Sequence, residues 1–540
     1  METNRSPVEV VLPMLPRVPY SLISEEISGI YGSTLLANIS KILSYYEVYD
    51  NGAKFTAEGT NGDYKAADLR FKQAASLINK EARFLFSKHP DIWVTVPYDK
   101  ENATEQHRQQ VKQQSSIYQS YVDAVIEKTR FFSKLLKAAK DCFIGGRVAY
   151  FINFNEETGK IHIDFTPAME FIYDTDPEDG TVLTKIICFY TTVNSDAKSE
   201  QRIYKKKYWM QDGLCWIYEG LYDGLGNLVE DITPERATKF TYIPAGVVIN
   251  DGLTGDMEGQ SEIANLMENE SYYSKLSNAD MDSERKGMNP IRWTRDMDPN
   301  STKQLPTGPG AFWDLATDQN ADGVTGEVGV LETTMNYTNA LTTTLNRICS
   351  NMYDQAEVPD VSAEALKGVV SSGKTLQAIY WPLIVRCDEK MHEWRPAITH
   401  IVETLLDGAR LYPGAAAPYL DGDTLPDTEV DIEVDNQYPI PTDEAEEKQV
   451  DLAEVNAQTM SKASYMKKWR GLTDAEAMQE LEQIARERQL LEDSFTMPPI
   501  DTSDLGDASA SQRGSQASQA EGQQTTQNNA EDASEGQIEE

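Results

Sequence analysis

Residues 259–282 read GQSEIANLMENESYYSKLSNADMD, and the absence of breakers over this stretch predicts one long helix. The helical pattern continues to Lys286, and Gly287 with Asn289-Pro290 ends it. Acidic residues recur along the whole stretch, as is typical of a solvent-facing helix. We therefore expect a helix over 259–286 with a solvated acidic surface.

The chain before this helix changes its hydrophobic period once. Amphipathic helical patterns cover the stretches 33–48, 66–88, 103–128 and 130–143. The segment DIWVTV, residues 91–96, has the composition of a strand. From 147 to 250 the period becomes two, and turns such as Asp212-Gly213 separate the strand-like runs, which predicts an antiparallel β region.

The chain after the helix is turn-rich over 290–332, with short strand-like pieces IRWTR and GAFWDL. A second helix is predicted over 334–355, whose polar face is almost uncharged. That face comprises Asn336, Asn339, Thr342, Thr343, Asn346 and Asn351. Further elements are predicted as a helix over 374–407 kinked at Pro382 and Pro396, a strand TEVDIEV over 428–434, and charged helices over 443–493. Together these elements predict an α+β protein.

The overall charge limits the function of the chain. It has 540 residues and a formal net charge of −38, without a long basic run. Nonspecific DNA affinity requires clustered Lys and Arg, so the composition disfavours a module that holds DNA tightly. The five cysteines form no C-x-x-C pair and are expected to be reduced core residues. No signal peptide or membrane-spanning segment is expected.

One stretch matches a nucleotide-binding motif letter for letter. Residues 368–375, GVVSSGKT, fit the P-loop pattern G-x-x-x-x-G-K-[ST]. A P-loop needs a buried parallel strand before it, whereas the preceding VPDVSAEALK contains a proline, acids and helix formers. The pattern therefore favours a loop, Ser371-Ser372-Gly373, that caps the helix beginning near Lys374.

Two metal motifs are incomplete, and no catalytic set is evident. DQNADG, residues 318–323, imitates a calcium loop through Asp318 to Asp322, but the twelfth position is Gly329, and Glu327 is two residues early. His392-Glu393 lacks the second zinc-protease histidine, because Pro396 occupies its position. We expect no catalytic residue, metal or cofactor, and a solvated turn at 318–323.

The order of the parts over residues 35–495 resembles the portal proteins of tailed bacteriophages, of the siphophage head-to-tail connector type. Four stretches carry the likeness. They are LRFKQAASLINKEARFLFSKHPDIWV (69–94), MEFIYDTDPEDGTVLTKIICFY (169–190), the G-x-S-[DE] helix opening of residues 259–282, and SSGKTL (371–376). The last resembles an S-G-x-A-L phrase in which Thr375 replaces alanine and Lys374 fills the variable place, and these two choices create the apparent P-loop.

The resemblance implies a portal fold with a mixed α/β wing, long stem helices, a small β-rich clip and a helical crown. The implied divisions are an N-terminal arm 1–32, wing 33–254, stem helix 255–286, clip 287–333, stem helix 334–356, channel or tunnel loop 357–373, kinked helix and wing return 374–442, helical crown 443–495, and disordered acidic tail 496–540.

The resemblance also implies a function and partners. The expected assembly is a homo-oligomeric ring, usually a dodecamer, at the portal vertex of the capsid in the virion, assembled in the host cytoplasm. Double-stranded DNA would pass through it during packaging and ejection without being tightly bound. The implied protein partners are the terminase large subunit, head-completion or neck adaptor proteins, and the major capsid and scaffolding proteins. No membrane partner is expected.

Candidate site residues follow from this assignment. Near the DNA in the channel we expect Arg347, Ser371, Ser372, Gly373 and Lys374. In the clip we expect Arg292, Trp293, Arg295 and Trp313 to contact the motor and the adaptors. Two alternatives stay open at this point, a P-loop NTPase of the packaging motor and a structural or scaffolding virion protein that forms no ring.

Overall fold

The computed structural model describes most of the chain. The described residues are 30–55, 66–99, 104–193, 201–253, 255–288, 291–298, 325–331, 336–361, 373–420, 424–439 and 444–495, with 300, 302, 313, 315–318 and 422. They fall into two units, the first ending at Asp443 and the second beginning at Glu444. Residues 1–29 of the expected arm over 1–32, and the expected tail over 496–540, lie outside the described residues, whereas residues 30–32 belong to a helix.

The first unit contains helices and four antiparallel sheets. Its helices are α1 (Ile30–Asn51), α2 (Gln73–Phe86), α3 (Glu105–Thr129), α4 (Phe131–Gly145), α5 (Glu262–Met288), α6 (Thr338–Gln355), α7 (Gly373–Leu411) and the short α8 (Pro413–Ala416). Its strands are β1 (Asp91–Thr95), β2 (Arg147–Asn155), β3 (Lys160–Pro167), β4 (Phe171–Thr175), β5 (Leu183–Val193), β6 (Gln201–Gln211), β7 (Leu214–Tyr222), β8 (Leu228–Ala237), β9 (Ala245–Ile249), β10 (Ile291–Arg295), β11 (Glu327–Leu331) and β12 (Asp431–Asp435).

Strand β2 lies at the centre of a three-layer arrangement. It is the middle strand of the sheet β3-β2-β9, and a second sheet has the order β4-β5-β6-β7-β8. Val148 and Ile152 pack into the core formed with the helices, whereas Ala149 and Phe151 pack into the core shared with β4 to β7. Both faces of β2 are therefore buried, which explains why its sequence, RVAYFINF, is apolar at consecutive positions.

Glycine is required where α4 turns into β2. Gly146 has φ +83°, a left-handed conformation that L side chains rarely adopt. A Cβ there would lie 2.9 Å from the carbonyl oxygen of Glu258. This close approach holds the end of α4 against the segment that leads into α5.

An extended segment lies along α5 and bonds to its side chains. The backbone N–H groups of residues 67, 69, 71 and 74 donate to a stripe of α5 acceptors four residues apart. The pairs are Ala67 to Asp282 (3.0 Å), Leu69 to Asn278 (2.8 Å), Phe71 to Ser274 (3.4 Å) and Ala74 to Glu270 (2.7 Å). Two residues of extended chain span about 6.7 Å and four residues of helix about 6 Å, so the donors at 67, 69 and 71 stay in register with their acceptors. The last donor, Ala74, lies in the first turn of α2.

This contact overturns two expectations. The helix predicted over 66–88 begins only at Gln73, because the preceding backbone bonds to α5 instead of forming helical bonds. The acidic helix was expected to be a solvated face, yet Glu270, Ser274 and Asn278 are buried. Burial raises the pKa of Glu270 to about 7, although the Ala74 N–H group favours its charged form.

Strand β1 also bonds through its backbone to side chains of a neighbouring helix. It pairs with β12 along one edge, from Asp91 opposite Asp435 to Thr95 opposite Asp431. Toward α3, Gln119 accepts from the Val94 N–H group (2.9 Å), and Ser115 accepts from the Val96 N–H group (2.9 Å). Among the described residues this sheet consists of β1 and β12, and a helix supplies polar partners on the other side of β1.

The second unit contains three described helices, α9 (Glu444–Asn456), α10 (Lys462–Arg470) and α11 (Asp474–Phe495). The side chains of Thr473 and Glu476 form a reciprocal capping box at the start of α11. Between α9 and α10, Asp451 accepts from the Trp469 indole (2.7 Å) and pairs with Lys468 (2.8 Å).

The mixed α+β class is confirmed, as is the antiparallel character of the region over 147–250. The expected strand over 428–434 lies at 431–435, and α7 runs through both Pro382 and Pro396 as one helix. All five cysteines are free, and four of them are buried. In the described part of the chain, no helix is long and apolar enough to cross a membrane.

Candidate functional site

Helices α5 and α6 form a pair that connects the core to the hairpin β10–β11. The Asn269 side-chain amide donates to Gln355 across the pair (2.9 Å), and Met267 and Ile348 pack against the main core. The chain leaves the core along α5, passes through β10 and β11, and returns along α6. The hairpin is thus carried by two long helices.

The face of α6 predicted to be polar is exposed and carries little charge. The six residues predicted for this face, from Asn336 to Asn351, are all exposed. The hydroxyls of Thr342 and Thr343 donate to the carbonyl oxygens four residues earlier, at 2.9 and 2.8 Å. Because these protons are already engaged, the hydroxyls present acceptor lone pairs to anything that passes, and they offer no donor to a phosphate.

The residues predicted to approach DNA are only partly described. Arg347 is exposed on α6, next to Asn346 of the polar face. Gly373 is the first residue of α7 and Lys374 lies in its first turn, but the Lys374 side chain is outside the described residues. Ser371 and Ser372 lie outside the described residues altogether. Arg347 and Lys374 are therefore not shown to be close together.

The hairpin β10–β11 places the predicted clip residues on two faces. Trp293 pairs with Gly329, and a Cβ on that glycine would lie 2.5 Å from the indole, so the ring packs over the glycine backbone. The Arg292 guanidinium stacks over the Trp313 ring at 5.2 Å. Because side chains alternate along a strand, Arg292 with Trp313 occupies one face, and Trp293 with Arg295 occupies the other.

Sequence reasoning missed a buried cluster of charges where α2, α5 and α7 meet. Glu81 of α2 and Glu262 of α5 face Arg386 and Lys390 of α7, and all four are largely removed from solvent. Asn250, just after β9, completes the cluster. The available signal was that Arg386 and Lys390, four residues apart, interrupt the apolar stripe of α7 formed by Leu383, Cys387, Met391 and Trp394.

The cluster is densely bonded. Arg386 bonds to Glu81 (2.9 Å) and also to Glu262. Lys390 donates to Glu262 (2.7 Å) and to Asn250 (2.7 Å), and its nitrogen lies 3.3 Å from Glu81. Arg386 also lies 3.9 Å from Glu357, which follows α6. One network therefore ties both long helices to α2 and α7.

The two carboxylates respond differently to burial. Burial opposes the charge on both, but Lys390 and Arg386 together bring the pKa of Glu262 down to about 2. At Glu81, burial and the nearby Glu262 charge prevail over the same two cations, so its pKa is raised. Two cations face two carboxylates, which is the balance that a buried ionic cluster needs.

The motifs considered for catalysis and metals do not form a site in the described residues. The strand pairings there are all antiparallel, whereas a P-loop follows a strand of a parallel sheet. Residues 319–324 of the calcium-like loop lie outside the described residues. The described residues contain no group of three or more potential metal ligands. His400, on the same helix as His392, bonds through Nδ1 to the Tyr150 hydroxyl (2.8 Å).

The chain matches the family model described as phage portal protein, SPP1 Gp6-like. The match covers residues 33–491, which is most of the chain and includes both units. No curated protein matches the chain.

The buried cluster predicts a large loss of stability when one cation is removed. Replacing Lys390→Met leaves two carboxylates facing one guanidinium, and we expect a loss of about 3–5 kcal/mol. Adding Glu81→Gln restores one charge pair and should recover part of the loss. Calorimetric melting of wild type, single and double variants measures this. The control is Lys112→Met at an exposed position of α3, whose free energy of unfolding should stay within about 0.5 kcal/mol of wild type. A double variant less stable than the single would contradict the charge-balance account.

Proposed function

We propose that this chain, which belongs to the phage portal proteins of the SPP1 Gp6-like family, forms a ring at one capsid vertex through which viral DNA enters and leaves. Membership makes it a component of the tailed-phage virion, in the connection between head and tail. The finer proposal covers ring closure, the DNA channel and the docking of the packaging motor. The observation that carries it is the helix pair α5–α6, which bears a hairpin at its far end, within a chain matched over 33–491.

The parts are assigned as follows. The stem comprises 255–286 and 334–356, and the clip comprises 287–333. The wing comprises 33–254 and 374–442, the channel loop 357–373 and the crown 443–495. The described helix pair and antiparallel hairpin fall within the stem and clip ranges, which supports these two assignments. The ring would be assembled in the host cytoplasm with capsid and scaffolding proteins, and it is proposed to be a dodecamer.

The charge distribution suits a channel that lets DNA slide. A tightly held phosphate would have to be released at every step, so a conduit needs few cations facing the DNA. The exposed α6 face offers Thr hydroxyls that are already engaged, together with neutral Asn amides. The net charge of −38 adds repulsion at longer range.

The clip hairpin supports a docking role through its exposure. A two-stranded hairpin is marginally stable unless another surface covers it. Here Trp293 is 40% exposed, and Val328 and Val330 are exposed in the facing strand. We therefore propose that terminase, and later the neck adaptors, contact the clip through Arg292, Trp293, Arg295 and Trp313.

The enzyme alternative has less support than the portal function. A P-loop motor would require a parallel sheet, and the described pairings are antiparallel. The family is generally structural. Lys374 is therefore proposed to belong to the channel, where Ser371, Ser372 and Gly373 adjoin it.

The proposed function predicts ring-shaped particles with a central hole. Negative-stain microscopy of the purified chain, with native mass measurement, should show a closed ring of about a dozen copies. The same preparation should show no ATP hydrolysis that depends on Lys374, tested with Lys374→Ala. A monomer at micromolar concentration, or hydrolysis abolished by this substitution, would contradict the proposal.

The channel assignment predicts that the two DNA-proximal cations affect packaging. Reversing charge in Arg347→Glu and Lys374→Glu should change the rate of DNA packaging severalfold, because a local attraction becomes repulsion. Packaging is measured as DNase-protected DNA in particles built with each variant. The control is Lys112→Glu, which makes the same change of charge at an exposed position of α3. Normal packaging by both variants would contradict the assignment of these two residues to the channel.

The clip assignment predicts loss of docking with intact rings. Truncating both members of one face, Arg292→Ala with Trp313→Ala or Trp293→Ala with Arg295→Ala, should weaken terminase binding at least about 30-fold, as removal of interface anchors does. Binding is measured on purified rings, and Thr294→Ala in the same strand is the control. The two paired variants show which face each partner uses. Rings that bind terminase normally in both cases would contradict the assignment.

A further inference from the structure

The net charge of the chain makes its self-association a problem of electrostatics. Copies that each carry −38 repel one another, so an assembly of copies needs local contacts between opposite charges. In a ring, the two surfaces that meet are different surfaces of the same chain. A cationic surface without acidic partners of its own is therefore a candidate for one side of this contact.

Such a surface lies where α2 packs beside α4. It is formed by Arg83 of α2 with Lys137 and Lys140 of α4, and is called the basic face below. In the described part of the chain, none of the three forms an ion pair within 4 Å. Burial, and next the neighbouring Arg83 charge, lower the pKa of Lys140. The adjacent Asp141 is engaged by the Tyr46 hydroxyl (2.9 Å).

An open apolar groove adjoins the basic face. Ser133 and Leu136 of α4 line this groove, a cavity of about 960 Å³, and helical spacing places Lys137 and Lys140 on the continuation of the same side. Its floor includes Phe132, stacked on His89 at 4.2 Å. The lining also contains Asp91 of β1, Asp123 and Glu127 of α3, and Arg130 between α3 and α4, so its acids lie away from the side that the basic face adjoins. The groove would accept an apolar group whose accompanying negative charge lies on the side of the basic face.

A surface with these complementary properties lies elsewhere on the same chain. Asp251, Glu389 and Glu393, called the acidic face below, line a cavity of about 280 Å³ and are exposed. The cations in that cavity wall, Arg386 and Lys390, are engaged by the buried carboxylates described above, so the acidic face is not neutralised from beneath.

The acidic face also carries an apolar group. Leu253 lines the same cavity, and its side chain is 77% exposed. An aliphatic side chain exposed among carboxylates matches a groove that is apolar with one cationic edge. The two surfaces are therefore complementary in charge and in hydropathy.

We propose that the basic face of one copy docks on the acidic face of the next copy, with Leu253 entering the apolar groove. This inference rests on the proposed ring and names its subunit contact. The contact joins two different surfaces, so its repetition closes into a ring when the rotation between copies permits. Because the pairs lie near the surface, raising the salt concentration should weaken assembly.

The test uses charge reversal on each face separately and then together. Variant one carries Arg83→Glu with Lys137→Glu, and variant two carries Glu389→Lys with Glu393→Lys. Each alone should shift the half-assembly concentration upward at least tenfold. An equal mixture should restore rings of alternating copies, because each altered face meets a complementary one. Restoration also shows that both variants are folded. The readouts are native mass and negative-stain microscopy.

Matched controls and outcomes separate this inference from the ring itself. Lys112→Glu and Glu429→Lys change charge at other exposed positions and should leave assembly unchanged. Rings formed by either variant alone at the half-assembly concentration of the wild type, or no rings from the mixture, would overturn the contact while the ring stands. A monomeric wild type would overturn both. Binding of duplex DNA to the rings is measured by filter retention. If variant one still forms rings but no longer retains DNA, the basic face binds DNA and the proposed contact is wrong.

Discussion

The first unit depends on a balance of charge inside its core. Glu81, Glu262, Arg386 and Lys390 come from three helices that are remote in sequence, and each bonds to at least two others or to Asn250. Removing charges from water costs several kcal/mol each, and only mutual neutralisation with good geometry offsets this cost. The network therefore fixes the start of α5 and the course of α7 relative to α2, and so positions the helix pair that carries the hairpin.

A second constraint is the need to satisfy the backbone of extended segments that have no strand beside them. The segment before α2 bonds to α5, and β1 bonds to α3, in each case through helix side chains four residues apart. Helix and extended chain advance by nearly equal lengths over four and two residues, so the contact can repeat. Polar side chains on α5 thereby hold the segment before α2 along several turns of α5.

The sequence predicted elements whose pattern is local. The α+β class, the antiparallel region, the helix predicted over 130–143, which is α4, and the exposed polar face of α6 all follow from periodicity, turn residues and composition. Prediction from the sequence failed for residues whose hydrogen-bond partner is distant along the chain. Nothing local distinguishes Glu270 or Asn278, which bond to residues about two hundred positions earlier, from solvated residues of an acidic helix. For Arg386 the signal was a cation on an apolar stripe, which does not reveal its partners. For the clip, alternation alone could have shown that Arg292 and Trp293 face opposite ways.

Charge is thus used in three different ways along one acidic chain. In the core, cations and carboxylates are matched, because an unpaired buried charge is costly. On α6 the exposed face is nearly uncharged, and its threonine protons are already donated to the helix backbone. Among the described residues, the basic face and the acidic face lie in separate places on the surface. Net charge alone predicts repulsion from DNA and from other copies, whereas the proposed contact would join copies locally, and the proposed DNA path along α6 carries little charge.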